Sequence, residues 1–80
     1  GIGMSIVLNK MNGVYCAKIS SINEAVLCKE HNNANVIAFS ADIKLDVAKS
    51  MVDKFLNTSF LGVDKYVRRN DMIKEIERNG

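Results

Sequence analysis

The sequence predicts an α/β fold with parallel strands, and three observations carry that expectation. Two short apolar runs, Val14 to Ile19 and Asn35 to Phe39, have strand length. Segments with helical spacing alternate with them. A composition of 48% hydrophobic and 25% charged residues is that of a globular chain, not a disordered tail.

The elements follow in order. Gly1 to Gly3 reads as a tight loop, with a helix starting at Met4 and running to Lys10. Asn12-Gly13 is a turn signal before the first strand. Ser21-Ile22-Asn23-Glu24 has capping-box spacing, so a helix should start near Ile22 and reach His31, where Asn32-Asn33 can stop it. The continuous apolar character of the second run predicts a parallel strand buried on both faces. Val47, Ala48, Met51, Val52, Phe55 and Leu56 keep i, i+3, i+4 spacing, giving a helix from Leu45 to Asn57. A loop should cover Asn57 to Gly62. A last helix should run from Asp64 to Arg78, with Val67, Met72, Ile73 and Ile76 as its apolar positions. A right-handed crossover is expected between the strands.

Eighty residues allow one small domain, and a lone core of that size buries only about 60% of its unfolded surface. Two strands cannot be covered on both edges by the helices available. A missing N-terminal half or a partner chain is therefore expected at the first strand. The opening Gly1-Ile2-Gly3-Met4-Ser5-Ile6-Val7-Leu8 is apolar where natural starts are usually polar, which predicts a fragment. Cys16 and Cys28 are too few for a disulfide scaffold and fit no common zinc or redox spacing. No signal peptide or membrane span is visible, so a cytoplasmic, non-membrane protein is expected, and Asn57-Thr58-Ser59 is a chance glycosylation sequon. A net charge of +2 with 6% aromatic residues gives little reason to expect nucleic acid.

Three groups could carry chemistry. Gly1-Ile2-Gly3-Met4-Ser5 enters a helix, where free N–H groups attract anions. It is neither a dinucleotide fingerprint nor a phosphate loop, because Ile6 stands at the third glycine position and no Gly-Lys-Ser/Thr follows. His31-Asn32 sits at a helix end and suits a sugar, an imidazole moving protons near neutral pH and a carboxamide offering donor and acceptor. Cys28 lies three residues before His31, but further metal ligands are not evident. Lys65, Arg68 and Arg69 share one face of the last helix and could clamp a phosphate, or form a solvated face beside Asp64 and Asp71. Both cysteines read as small buried hydrophobes.

Taken together these pieces resemble the C-terminal half of the ribose-5-phosphate isomerase B / galactose-6-phosphate isomerase family. The resemblance rests on Gly1-Ile2-Gly3-Met4-Ser5-Ile6, Asn9-Lys10, Gly13-Val14, Glu30-His31-Asn32-Asn33-Ala34-Asn35-Val36, Val52-Asp53 and Phe55-Leu56-Asn57-Thr58, in order across nearly the whole chain. It implies a Rossmann-like three-layer α/β/α fold, here a partial domain of about two strands and four helices spanning residues 1–80. It also implies a homodimer with active sites at the subunit interface. The implied chemistry is aldose–ketose isomerisation of a phosphorylated sugar through an enediolate, with no metal and no cofactor. By the same resemblance, the backbone around Gly1, Ile2, Gly3 and Ser5 would stabilise the enediolate, a role suited to oriented N–H donors. His31 would assist ring opening and Asn32 would bind substrate. Lys65 and Arg69 would hold the phosphate, with lysine replacing the family's usual arginine and losing its fork geometry.

The departures from the family pattern are specific. The family's catalytic base is a cysteine in a Cys-Gly-Thr segment three residues before the position of Gly1, and its Asp-His segment lies further upstream. Neither Cys16 nor Cys28 stands at the matching position. Ser40-Ala41-Asp42 replaces a glycine-x-arginine, Val63-Asp64-Lys65-Tyr66 replaces Gly-Gly-Arg-His, and Tyr15 replaces an arginine of the first strand. The eighty residues alone are therefore expected to lack isomerase activity. A competing reading is a non-catalytic interaction module or degenerate remnant that pairs through its open strand edge. A nucleic-acid binder using the last helix ranks below both.

Overall fold

The computed structural model describes residues 1–79. Its order is α1 (Ile2–Asn9), β1 (Cys16–Lys18), α2 (Ile22–Asn32), β2 (Val36–Ala38), α3 (Leu45–Asn57) and α4 (Asp64–Asn79). The strands pair in parallel, with Cys16 opposite Val36, Ala17 opposite Ile37 and Lys18 opposite Ala38. The partial α/β architecture of two strands and four helices expected from the residue pattern is the one observed.

Several boundaries move, each for a local reason. The tight loop expected at Gly1 to Gly3 is absent. Gly1 is the N-cap and the helix already runs from Ile2, with Ser5 N–H donating to Gly1 O at 3.1 Å. Gly3 does not use a left-handed backbone, unlike Gly13 (φ 80°) and Gly62 (φ 62°), so nothing interrupts the first turn. The ladder is three residues long, not the five or six expected. Outside it Val14 N–H turns back to Met11 O, and Tyr15 N–H bonds the Asn35 side chain.

α2 opens as its sequence dictates. Ser21 is extended, and its hydroxyl accepts from Glu24 N–H at 3.1 Å. The Glu24 carboxylate reaches back one residue further than a standard capping box, to Ser20 N–H at 2.6 Å and Ser20 Oγ at 2.9 Å. The helix passes His31 and ends after Asn32. Asn33 then takes the left-handed conformation (φ 51°) and sends its N–H to Lys29 O, while Ala34 N–H goes to Cys28 O. α3 matches its expected span, and Asn57 belongs to it, not to the following loop.

The core is Ile19, Ala25, Ala34, Met51 and Phe55, with Ala17, Cys28, Ile37, Phe39, Ile43 and Val47 packed around it. It lies where α2, α3 and the strands meet. The fold extends 39 × 28 × 14 Å and is thin in one direction. That thinness overturns several burial expectations. β2 is half-buried along its length, not covered on both faces. Val52 and Leu56 of α3 and Val67, Met72, Ile73 and Ile76 of α4 are exposed, and the buried residue of α4 is Asn70. Cys16 and Cys28 are half-buried free thiols.

Candidate functional site

The C-terminal end of α2 is where the expected site residues converge. A helix end leaves its last carbonyls without partners inside the helix. Here the segment between Leu61 and Asn70 meets three consecutive residues. Leu61 N–H donates to Glu30 O at 3.1 Å. The Tyr66 ring stacks on His31 with centroids 4.4 Å apart and planes inclined by 21°. Asn70 Nδ2 donates to Asn32 O at 2.9 Å. His31 is half-buried and Asn32 exposed, so the pair faces solvent on a fixed backbone.

The cationic start of α4 lies beside that pair. Lys65 Nζ stands 4.9 Å from the centroid of the Tyr66 ring that stacks on His31. Arg68 and Arg69 are exposed on the same helix. Among the described residues the one ion pair is Arg78 with Glu75, so Lys65, Arg68 and Arg69 make no direct ion pair with Asp64 or Asp71.

The glycine-bearing end of α1 is elsewhere. Asn9, at the other end of α1, bonds Cys16 at the start of β1. Eight helical residues span about 12 Å, so Gly1, Ile2 and Gly3 sit far along the sheet from that point. His31 belongs to the strand-start end, because the chain passes from α2 through Asn35, whose N–H bonds Tyr15 O, directly into β2. No hydrogen bond among the described residues joins Gly1 to Ser5 with His31, Asn32, Lys65 or Arg69. Ser5 is buried, and its hydroxyl donates to Ile2 O at 2.7 Å, closing the first turn. The amides of Ile2, Gly3 and Met4 are the ones an α-helix start leaves free.

A cavity of about 470 Å³ opens near Asn32, between β1 and α4, and Cys16, Asn9, Ile73, Ile76 and Glu77 are among the residues that line it. No group of three or more His, Cys, Asp or Glu side chains that could hold a metal gathers among the described residues. No helix of the described residues is long and apolar enough to cross a membrane.

Sequence reasoning missed Tyr66, Asn70 and the bonding of the Asn9 side chain to Cys16. Tyr66 registers in the sequence only as a departure from the family pattern. Asn70 sits four residues on, on the same helix face, and that i, i+4 relation to Tyr66 is the available signal.

A family model described as Ribose/Galactose Isomerase matches residues 1–73. The ribose-5-phosphate isomerase B of Mycobacterium tuberculosis (strain H37Rv) is 35% identical over 79 residues, 98% of this chain and 49% of the relative. That of Escherichia coli (strain K12) is also 35% identical over 79 residues, 98% of this chain and 52% of the relative. Among solved structures, type B ribose 5-phosphate isomerase from Trypanosoma cruzi superposes with a TM-score of 0.94 at 34% identity, covering 100% of this chain and 54% of that one. The ribose 5-phosphate isomerase of Thermotoga maritima gives 0.87 at 37% identity, covering 94% and 52%. The chain spans about half the length of the curated relatives it matches.

Proposed function

The chain belongs to the ribose/galactose isomerase family, and from that premise we propose that residues 1–80 form the C-terminal part of one sugar-phosphate isomerase domain. The reaction is aldose–ketose isomerisation of ribose 5-phosphate type, by proton transfer between neighbouring carbons through an enediolate. The observation that carries this reading is the joining of His31 to the cationic start of α4 through Tyr66.

In this reading His31 moves the proton that opens the sugar ring, and Asn32 bonds a sugar hydroxyl through its carboxamide. Lys65 and Arg69 hold the phosphate, the arginine by two parallel bonds and the lysine as a point charge. The free amides of Ile2 and Gly3, at the positive end of α1, stabilise the enediolate oxygen, with Gly1 capping the turn and Ser5 bracing it. No metal or other cofactor enters this chemistry.

Because Gly1 and His31 lie apart within one chain, a complete site needs the glycine end of one copy beside the His31 end of another. A homodimer satisfies that requirement. The exposed apolar residues of α1, Ile2 (66%), Met4 (60%), Ile6 (53%) and Val7 (61%), favour burial against further protein of the same fold. The competing module that pairs through the open edge of β1 is disfavoured, because the Asn9 side chain already occupies part of that edge. A cytoplasmic protein without membrane or nucleic-acid partners fits this role.

The test is binding and turnover of ribose 5-phosphate by the purified eighty residues. Phosphorus NMR should detect binding that Arg69→Ala weakens about tenfold, as loss of one charge-assisted contact implies. No binding would overturn the phosphate clamp. Turnover above a His31→Ala control would overturn the assignment of the base to a segment outside these residues.

A further inference from the structure

We infer that Tyr66 and Asn70 are positioning residues for the His31–Asn32 pair, acting as the two side-chain jaws of a clamp that the 61–70 segment closes on the end of α2. The inference rests on the proposed isomerase reading for its relevance to catalysis, but its geometry stands apart from it.

Three successive residues of α2 are engaged in three ways. The Glu30 carbonyl accepts a backbone N–H from Leu61, the His31 ring is stacked, and the Asn32 carbonyl accepts a side-chain N–H from Asn70. Tyr66 and Asn70 lie one helical turn apart on α4 and therefore present to α2 together. Stacking limits an imidazole to tilts that preserve ring contact while leaving its edge nitrogens free. The bond to Asn32 O fixes the backbone from which both His31 and Asn32 project.

Asn70 supports this role by what it forgoes. It is only 5% exposed, and its Oδ1 is buried without a partner. An apolar residue would fill the same space without leaving an unsatisfied oxygen, so packing alone does not account for asparagine. What the carboxamide supplies is the donor to Asn32 O.

His31 is the only histidine of the sequence, so its two imidazole C–H signals are unambiguous in a proton NMR spectrum. In the wild-type chain without sugar phosphate, both should lie upfield of their positions in the urea-unfolded chain and show cross-peaks to Tyr66 ring protons. Tyr66→Phe should retain the displacement, since the ring and not the hydroxyl does the holding. Tyr66→Leu should abolish it while the Met51 and Phe55 signals stay dispersed. Asn70→Leu should reduce it with the core signals unchanged. Wild-type imidazole signals at their unfolded positions, or an unchanged spectrum in Tyr66→Leu, would overturn the clamp. If Tyr66→Leu fails to fold, Tyr66→Phe decides, because loss of the displacement there overturns stacking as the cause. An unchanged His31 spectrum in Asn70→Leu overturns the part assigned to Asn70. Since no substrate is present, failure here is distinct from failure of the isomerase reading, which the ribose 5-phosphate binding experiment decides.

Discussion

Asn9 closes on both backbone polar groups of Cys16, its Oδ1 accepting from Cys16 N–H at 2.7 Å and its Nδ2 donating to Cys16 O at 2.8 Å. The carboxamide thereby imitates a neighbouring peptide. Backbone groups of successive strand residues face opposite edges, and those of Tyr15 and Ile19 turn to β2. Cys16 and Lys18 therefore face the open edge, and Asn9 covers the first of them. Asn9→Ala should cost about 1–2 kcal/mol, as two partly exposed hydrogen bonds return to water. It should also promote self-association, because an uncovered edge is a template for pairing. Urea denaturation and light scattering against concentration check both. Unchanged stability with unchanged scattering would remove Asn9 as an edge cover.

The start of α2 makes stability depend on acid. The Ser20 backbone N–H, then the Ser20 hydroxyl, hold the Glu24 carboxyl below its ordinary value of 4.5. A group with a depressed folded value stabilises above its unfolded value, and that contribution is lost as pH falls through the folded one. The chain should therefore weaken below pH 4.5, and Glu24→Gln should flatten that part of the profile. Ser21→Ala, which deletes the hydroxyl that Glu24 N–H bonds, should cost about 1 kcal/mol at neutral pH. Thermal melts across the acid range measure both. A Glu24→Gln variant with the wild-type profile would refute the assignment.

These two regions show what a sequence makes legible. The cap at Ser21 and the span of α3 could be read because their causes are local, a hydroxyl three residues from its N–H and a period of 3.6. Burial could not be read so well. Met51 and Leu56 belong to one periodic pattern, yet Met51 is 0% exposed and Leu56 73%. Which face of a helix is covered depends on what packs there, and the face of α3 that carries Leu56 is left open. The site divides the same way. His31, Asn32, Lys65 and Arg69 could be singled out by residue type and resemblance. Tyr66 against His31 and Asn70 against Asn32 are contacts across 35 and 38 positions, which no local pattern announces.

The Cys28 thiol should differ from an active nucleophile in a measurable way. Burial pushes the Cys28 thiol up, and its Sγ donates to Ala25 O at 3.3 Å. A raised value leaves less thiolate at any given pH. In a Cys16→Ser variant, Cys28 should alkylate with iodoacetamide several-fold more slowly than an unfolded-chain control at mildly alkaline pH. Mass spectrometry follows the rate. Alkylation of Cys28 faster than the unfolded control would contradict a thiol held in its neutral form.

The contrast within α3 gives a sharper test of where the core lies. Met51 is completely enclosed in the cluster with Ile19, Ala25, Ala34 and Phe55. Met51→Ala should cost about 2–5 kcal/mol, the range for deleting a buried side chain and leaving a cavity. A chain of this size has about 4–12 kcal/mol of stability, so the variant should lose a large fraction of it and unfold at markedly lower urea. Leu56→Ala, five residues on and far more exposed, should change stability by only about 0.5 kcal/mol. Urea denaturation followed by circular dichroism measures the pair. Equal losses for the two variants would mean that Leu56 is buried against another molecule in solution. Such a result would also place the partner on the outer face of α3, away from the exposed face of α1 that the proposed dimer uses.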